Sequence, residues 1–206
     1  MMQPPLWVVL FLNHTAMLVG SLLLMTVLSR GKLARYGFRW PKDLGLRASL
    51  LWGVGLGAAS ALVEAALPGE NTIMPGEWPF LQIVALLWLY ASVSEEVFMR
   101  GLIQSSLSRF RTYGFTLFGT RISLPVLMSA LIFGVMHVAQ AAMGVAGYQV
   151  LVTVVFAFIL GLLAGTYREG TDSLVPAIVV HAFANVGGSL VGCLGGWETT
   201  YFKRGA

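Results

Sequence analysis

Ser94-Glu95-Glu96-Val97-Phe98-Met99-Arg100 interrupts an otherwise apolar run, with Leu81 to Tyr90 before it and Gly101, Leu102 and Ile103 after it. Ionisable side chains at membrane depth cost a few kcal/mol each on insertion scales, so they persist where they are paired or line a polar cavity. On a helix Glu96 and Arg100 are four residues apart and share a face, so they can form an ion pair. Glu95 lies about 100° round the helix from Glu96, points elsewhere, and is left without that partner. Another group must account for it.

The composition around this stretch decides the fold class. Of 206 residues, 57% are hydrophobic and only 11% charged, and the mean hydropathy is +0.78. Soluble domains carry about a quarter charged residues, so the chain reads as a membrane protein. Six apolar stretches approach the ~20 residues that a spanning helix needs. They run approximately Leu6–Leu28, Ala48–Leu67, Phe80–Leu107, Ile122–Met143, Tyr148–Tyr167 and Leu174–Leu194. The expectation is an all-α, polytopic bundle of about six transmembrane helices, with residues 1–206 forming a single membrane domain.

Charge placement orients the bundle. Met1 to Pro5 contain no Lys or Arg, so the start lacks the basic region of a cleaved signal peptide, and the first stretch is expected to remain as a helix. Arg30, Lys32, Arg35, Arg39, Lys42 and Arg47 concentrate six bases between the first two stretches. The positive-inside rule makes that loop cytoplasmic and puts the N-terminus outside. Glu70 and Glu77 then fall outside, Arg109, Arg111, Arg121 and Arg168 inside, and only Lys203 and Arg204 fit less well. This points to a multi-pass protein of the cell membrane. The net charge of +4 resides in loops between apolar runs, which argues against a nucleic-acid partner. Cys193 is the one cysteine, so neither an intrachain disulfide nor a multi-cysteine metal site is possible, and it reads as a small buried residue.

The further polar residues worth weighing within the spans are His14, Glu64, His137, His181 and Asn185. His181 and Asn185 stand four apart and face one way. Each polar residue taken singly has a plain structural use, as a backbone-bonded histidine or as interhelical hydrogen-bonding glue. Together, carboxylate, imidazole and amide groups from three helices are what activating a water and binding an oxyanion require. Glu64 lies near the outer end of its helix and can reach the interface. His14 reads as a packing or interfacial histidine. Asn13-His14-Thr15 has the form of a glycosylation site but falls within a span.

Glu95-Glu96-x-x-x-Arg100, Phe133-x-x-x-His137 and His181-x-x-x-Asn185, in this order and in separate hydrophobic helices, resemble the CPBP family. These are the CAAX proteases and bacteriocin-processing enzymes, also called the ABI family of intramembrane glutamic endopeptidases. The resemblance covers about half the chain, a core from about 80 to 194, and Tyr36-Gly37-Phe38-Arg39 is similar to a loop that this family often carries. It implies peptide-bond hydrolysis without a covalent intermediate, a cofactor or a metal. In that reading Glu95 is the general base and His137 helps to hold the attacking water. His181 and Asn185 form the oxyanion hole, and Glu96 with Arg100 is a structural ion pair. Spacing alone leaves the reverse use of the two glutamates open.

The implied partner is a membrane-associated protein or peptide, cleaved within the lipid bilayer. A prokaryotic processing or sorting peptidase, acting at a C-terminal signal, is the first expectation, with CAAX cleavage and bacteriocin-leader removal as the other protease readings. Two other readings compete. A zinc protease could draw on two histidines and a glutamate, although no His-Glu-x-x-His pair exists. A non-catalytic immunity, partner-binding or scaffold protein would use the same polar groups only as glue. Transport is less attractive, because the sequence shows no internal repeat.

Overall fold

A computed structural model of the chain describes residues 5–42, 45–67 and 78–194. Glu70, Glu77, Lys203, Arg204 and the side chain of Cys193 lie outside the described residues. The chain is a helical bundle, with helix α1 over Leu6–Ser29, α2 over Leu46–Ala66, α3 over Phe80–Gln104, α4 over Leu124–Met136, α5 over Gly147–Thr171 and α6 over Val175–Leu194. Helix α4 runs on into a 3₁₀ segment, His137–Met143. Among the described residues, five helices are long and apolar enough to cross a membrane, and α6 carries a shorter apolar stretch, Val175–Val191.

The bundle is inverted relative to a soluble protein. Leu23 and Val27 are 63% and 75% exposed, while Glu96 and Arg100 are 0% exposed. Lipid tails supply no hydrophobic drive between helices, so association rests on close packing and on internal polar bonds. Glycine supplies the packing. A side chain at Gly57 would strike the backbone carbonyl of Ala184, and one at Gly53 would lie 2.9 Å from Phe183 Cβ. Helices α2 and α6 therefore meet backbone to backbone, which fixes α6 and the residues it carries. Similarly, α5 approaches α4 at Gly161, where an added Cβ would sit 2.8 Å from Ala130 Cα.

Local chemistry sets the helix ends. Arg30 and Gly31 both take positive φ, and Gly31 N–H donates to Thr26 O at 2.8 Å, closing α1 with a left-handed cap. Ser123 caps α4 by accepting from Val126 N, with Pro125 in the first turn. Two short strands precede that cap, β1 over Gly114–Leu117 and β2 over Thr120–Ser123, paired antiparallel. The sequence reading began the fourth span at Ile122; instead Ile122 and Ser123 close this hairpin. Phe118 and Gly119 form its two-residue turn, both at positive φ, which matches the twist of the flanking strands.

Helix α3 is irregular. Ile83–Ala91 and Val97–Gln104 are wound as π-helix, with a five-residue α-helical segment, Ser92–Glu96, between them. Such widened turns are rare and recur at functional sites. The loops bearing the arginines gather at one end of the bundle. There Leu174 N–H donates to Gly37 O, Ser173 Oγ to Arg39 O and Arg111 Nη2 to Glu169 O.

Candidate active site

The two glutamates at the centre of α3 have different surroundings. Glu96 is enclosed. Its Oε2 lies 3.1 Å from Arg100 Nε, and its Oε1 accepts from His181 Nδ1 at 2.8 Å. The Arg100 guanidinium sits 4.8 Å from the centre of the Phe133 ring, beside Gly161 of α5. A side chain at Gly161 would come within 3.3 Å of Arg100 Nη2, so the glycine makes room for the cation. One turn further, Gln104 Nε2 donates to Gly165 O at 3.0 Å. Glu96, Arg100 and Gln104 thus form a polar seam along the face of α3 turned to α4, α5 and α6.

Glu95 stands on the other side of α3 and keeps 17% of its side chain exposed. It has partners that spacing did not reveal. Its Oε1 lies 3.1 Å from His14 Nε2 and its Oε2 lies 3.5 Å from His181 Nε2. The reading of His14 as a packing or interfacial residue is corrected here, since its ring reaches the central carboxylate. The neighbours of His14 explain how. Phe11 stacks on Tyr90 with centroids 5.5 Å apart, and Thr15 Oγ1 bonds Tyr90 Oη at 2.6 Å. Phe11, His14 and Thr15 have the i, i+3, i+4 spacing of one helix face, so the contacts that seat α1 on α3 also deliver the imidazole.

All three imidazoles are held in the same manner. His14 Nδ1 lies 2.7 Å from Leu10 O, His137 Nδ1 lies 2.8 Å from Phe133 O, and His181 Nδ1 faces the Glu96 carboxylate. Each partner is purely an acceptor, so each Nδ1 carries a proton and Nε2 is the nitrogen left for the site. Phe133 braces two of the rings edge-on, with His137 at 5.0 Å and His181 at 5.5 Å between centroids. His137 bonds no side chain among the described residues, but it lies within electrostatic reach of Glu95.

Asn185 shares the face of His181 but spends its amide hydrogens on α3. Its Nδ2 donates to Leu87 O at 3.0 Å and to Ser92 Oγ at 3.1 Å. Because the Leu87 carbonyl can only accept, the nitrogen must be the atom turned that way. In this conformation Asn185 ties α6 to α3. Glu64 lies apart from the cluster and accepts from Ser60 Oγ. A separate cleft lined by Arg35, Gln104, Ser105, Arg111 and Arg168, among others, sits toward the C-terminal end of α3 and includes none of His14, Glu95, Glu96, Arg100, His137, His181 or Asn185. Among the described residues, no group of three or more His, Cys, Asp or Glu side chains is arranged to hold a metal ion.

No curated protein and no solved structure matches the chain. Residues 77–187, more than half of the chain, match the model of the type II CAAX prenyl endopeptidase Rce1-like family. The matched stretch holds Glu95, Glu96, Arg100, His137, His181 and Asn185, and it leaves out His14. With its membrane-spanning helices, the chain is a multi-pass membrane protein that belongs to the Rce1-like family of type II CAAX prenyl endopeptidases, a family of proteases.

Proposed function

We propose that the chain is a metal-independent glutamic endopeptidase that hydrolyses a peptide bond of a membrane-associated protein or peptide, with Glu95 as the general base. The observation that carries this reading is the unequal treatment of the adjacent carboxylates. Glu96 is sealed and tied to Arg100 and His181, while Glu95 is partly open and faces imidazole nitrogens.

A water held between Glu95 and His137 gives a proton to the carboxylate as its oxygen attacks the scissile carbonyl carbon. The developing oxyanion is met by His181 Nε2–H. With Nδ1–H already donated to Glu96, that second proton makes His181 an imidazolium between two carboxylates. Asn185 joins as a second donor by giving up its bond to Ser92 Oγ. The proton on Glu95 then passes to the leaving nitrogen as the C–N bond breaks, which restores the base. The Glu96–Arg100 pair holds His181 in place throughout. Proximity in a site of low water content supplies the rest.

The substrate in this proposal enters from the lipid bilayer and carries its scissile bond near its C-terminus. The family's name makes a prenylated CAAX peptide the first probe. In this proposal the positive-inside rule puts the basic end of the bundle in the cytoplasm and the N-terminus outside the cell membrane. The test uses the protein in proteoliposomes with a farnesylated peptide ending in a CAAX sequence, its unprenylated counterpart, and membrane proteins whose C-termini are mapped by mass spectrometry. We expect cleavage that survives metal chelation and disappears in Glu95→Gln and His137→Ala. Activity abolished by chelation and restored by zinc would favour the metalloprotease. Binding of the peptide that is unchanged in both variants, with no product formed by any of the proteins, would favour a binding protein.

A further inference from the structure

We propose that His14, from the first helix and outside the family-matched stretch, is a positioning residue for the Glu95 carboxylate and holds the proton that joins them. This rests on the reading of Glu95 as the base. His14 Nδ1 lies 2.7 Å from the Leu10 carbonyl, one turn back on α1, so that nitrogen must carry a hydrogen. His14 Nε2 lies 3.1 Å from Glu95 Oε1, and a bare nitrogen lone pair facing a carboxylate oxygen at that distance would be repelled. One further proton must therefore sit between Nε2 and Oε1.

On His14, that proton leaves Glu95 ionised and able to accept from water. On Glu95, it would block one oxygen. The site favours the first arrangement. A carboxylate inside the bilayer persists only with a partner, and Arg100 is already committed to Glu96. His14 is itself largely buried, with 11% of its side chain exposed, and its ring is fixed by Leu10 O on one side and Glu95 on the other.

The consequence is geometric. With Oε1 bound to His14, the second oxygen, Oε2, is the one turned to His181 Nε2 at 3.5 Å, where the proposed water and carbonyl meet. His14 never touches the substrate; it fixes which oxygen of Glu95 takes the proton. The groups that face this pair are Tyr90 and Thr15 at the α1–α3 contact and His137 and His181 across the site, while Arg100, on the other face of α3, is within charge range of Glu95. Helix α1 is therefore part of the proposed catalytic apparatus, and the seam from Phe11 to Thr15 is what keeps it there.

The test compares His14→Ala, His14→Gln and Glu95→Gln in the proteoliposome cleavage assay, with thermal unfolding of each variant. Losing a hydrogen bond to a charged group is expected to lower kcat of His14→Ala by about 10- to 100-fold, with KM little changed. His14→Gln keeps an N–H donor of similar reach and is expected to recover most of that loss. Added imidazole is expected to restore part of the activity of His14→Ala alone. If Glu95→Gln is inactive while His14→Ala turns over at the unmodified rate, the inference about His14 fails and the base remains. If Glu95→Gln is itself active, the reading beneath it fails. Equal losses in His14→Ala and His14→Gln, matched by equal drops in unfolding temperature and no response to imidazole, would reduce His14 to a packing residue and overturn the proposal.

Discussion

The two faces of helix α3 use charge in opposite ways. Toward α4, α5 and α6, Glu96 and Arg100 are fully buried and neutralise each other beside Phe133 and Gly161. Toward α1, Glu95 is partly open and is approached by His14 and His181, whose charge depends on a proton. A permanent cation stabilises a carboxylate but makes it a poor proton acceptor; an imidazole can stabilise it and still let protons move. In the proposed mechanism the closed face is structural and the open face carries the chemistry.

Breaking the closed face should have the largest structural effect. Arg100→Met leaves Glu96 buried without its cation, which typically costs about 3–5 kcal/mol. The double variant Glu96→Gln/Arg100→Met should recover much of that loss. Thermal unfolding in detergent or bicelles measures both, and equal stability of the two would mean that the pair carries no such energy.

The next largest effect sharpens the contrast at the residue that touches both faces. His181 bonds Glu96 through Nδ1 and approaches Glu95 through Nε2. His181→Ala should lower kcat by about 10²–10³, the usual loss for one oxyanion donor. A change confined to KM would remove it from the transition state.

The smallest effect is expected away from the charges. Gly57→Val pushes a side chain into the Ala184 carbonyl and should cost about 1–3 kcal/mol of overpacking strain. Because α6 carries His181 and Asn185, activity should fall along with stability. An unchanged unfolding temperature would show that α2 and α6 can separate without cost.

How much of this could be read from residues alone depended on whether the relevant contact lay within one helix. Glu96 and Arg100 are four apart, and the pairing expected from that spacing is the one observed. The prediction that Glu95 points elsewhere rests on the same geometry. The six apolar runs announce the helices through composition. His14 was out of reach because its partner is 81 residues away and α1 carries no motif; only the seating of Phe11 and Thr15 on Tyr90 brings it in. The stacking could have been suspected from the Phe11, His14, Thr15 stripe, but not its target. The face shared by His181 and Asn185 was legible, yet spacing could not tell that Asn185 would bond Leu87 and Ser92. Nor does side-chain periodicity reveal the π-helical turns of α3, which are a property of backbone hydrogen-bond register. The hairpin at Gly114–Ser123 was hidden because Phe118-Gly119 is an uncommon pair for such a turn.

The central claim is that adjacent glutamates have different work, and one comparison addresses it most directly. Glu95→Gln and Glu96→Gln would be purified side by side, reconstituted in the same proteoliposomes, and followed for both unfolding temperature and single-turnover cleavage of the farnesylated peptide. The account predicts that Glu95→Gln keeps its fold and loses activity by about 10⁴-fold, the upper range for removal of a general base. It predicts that Glu96→Gln is destabilised but still cleaves. Cleavage by a folded Glu95→Gln protein at close to the unmodified rate, with Glu96→Gln folded and inactive, would contradict it.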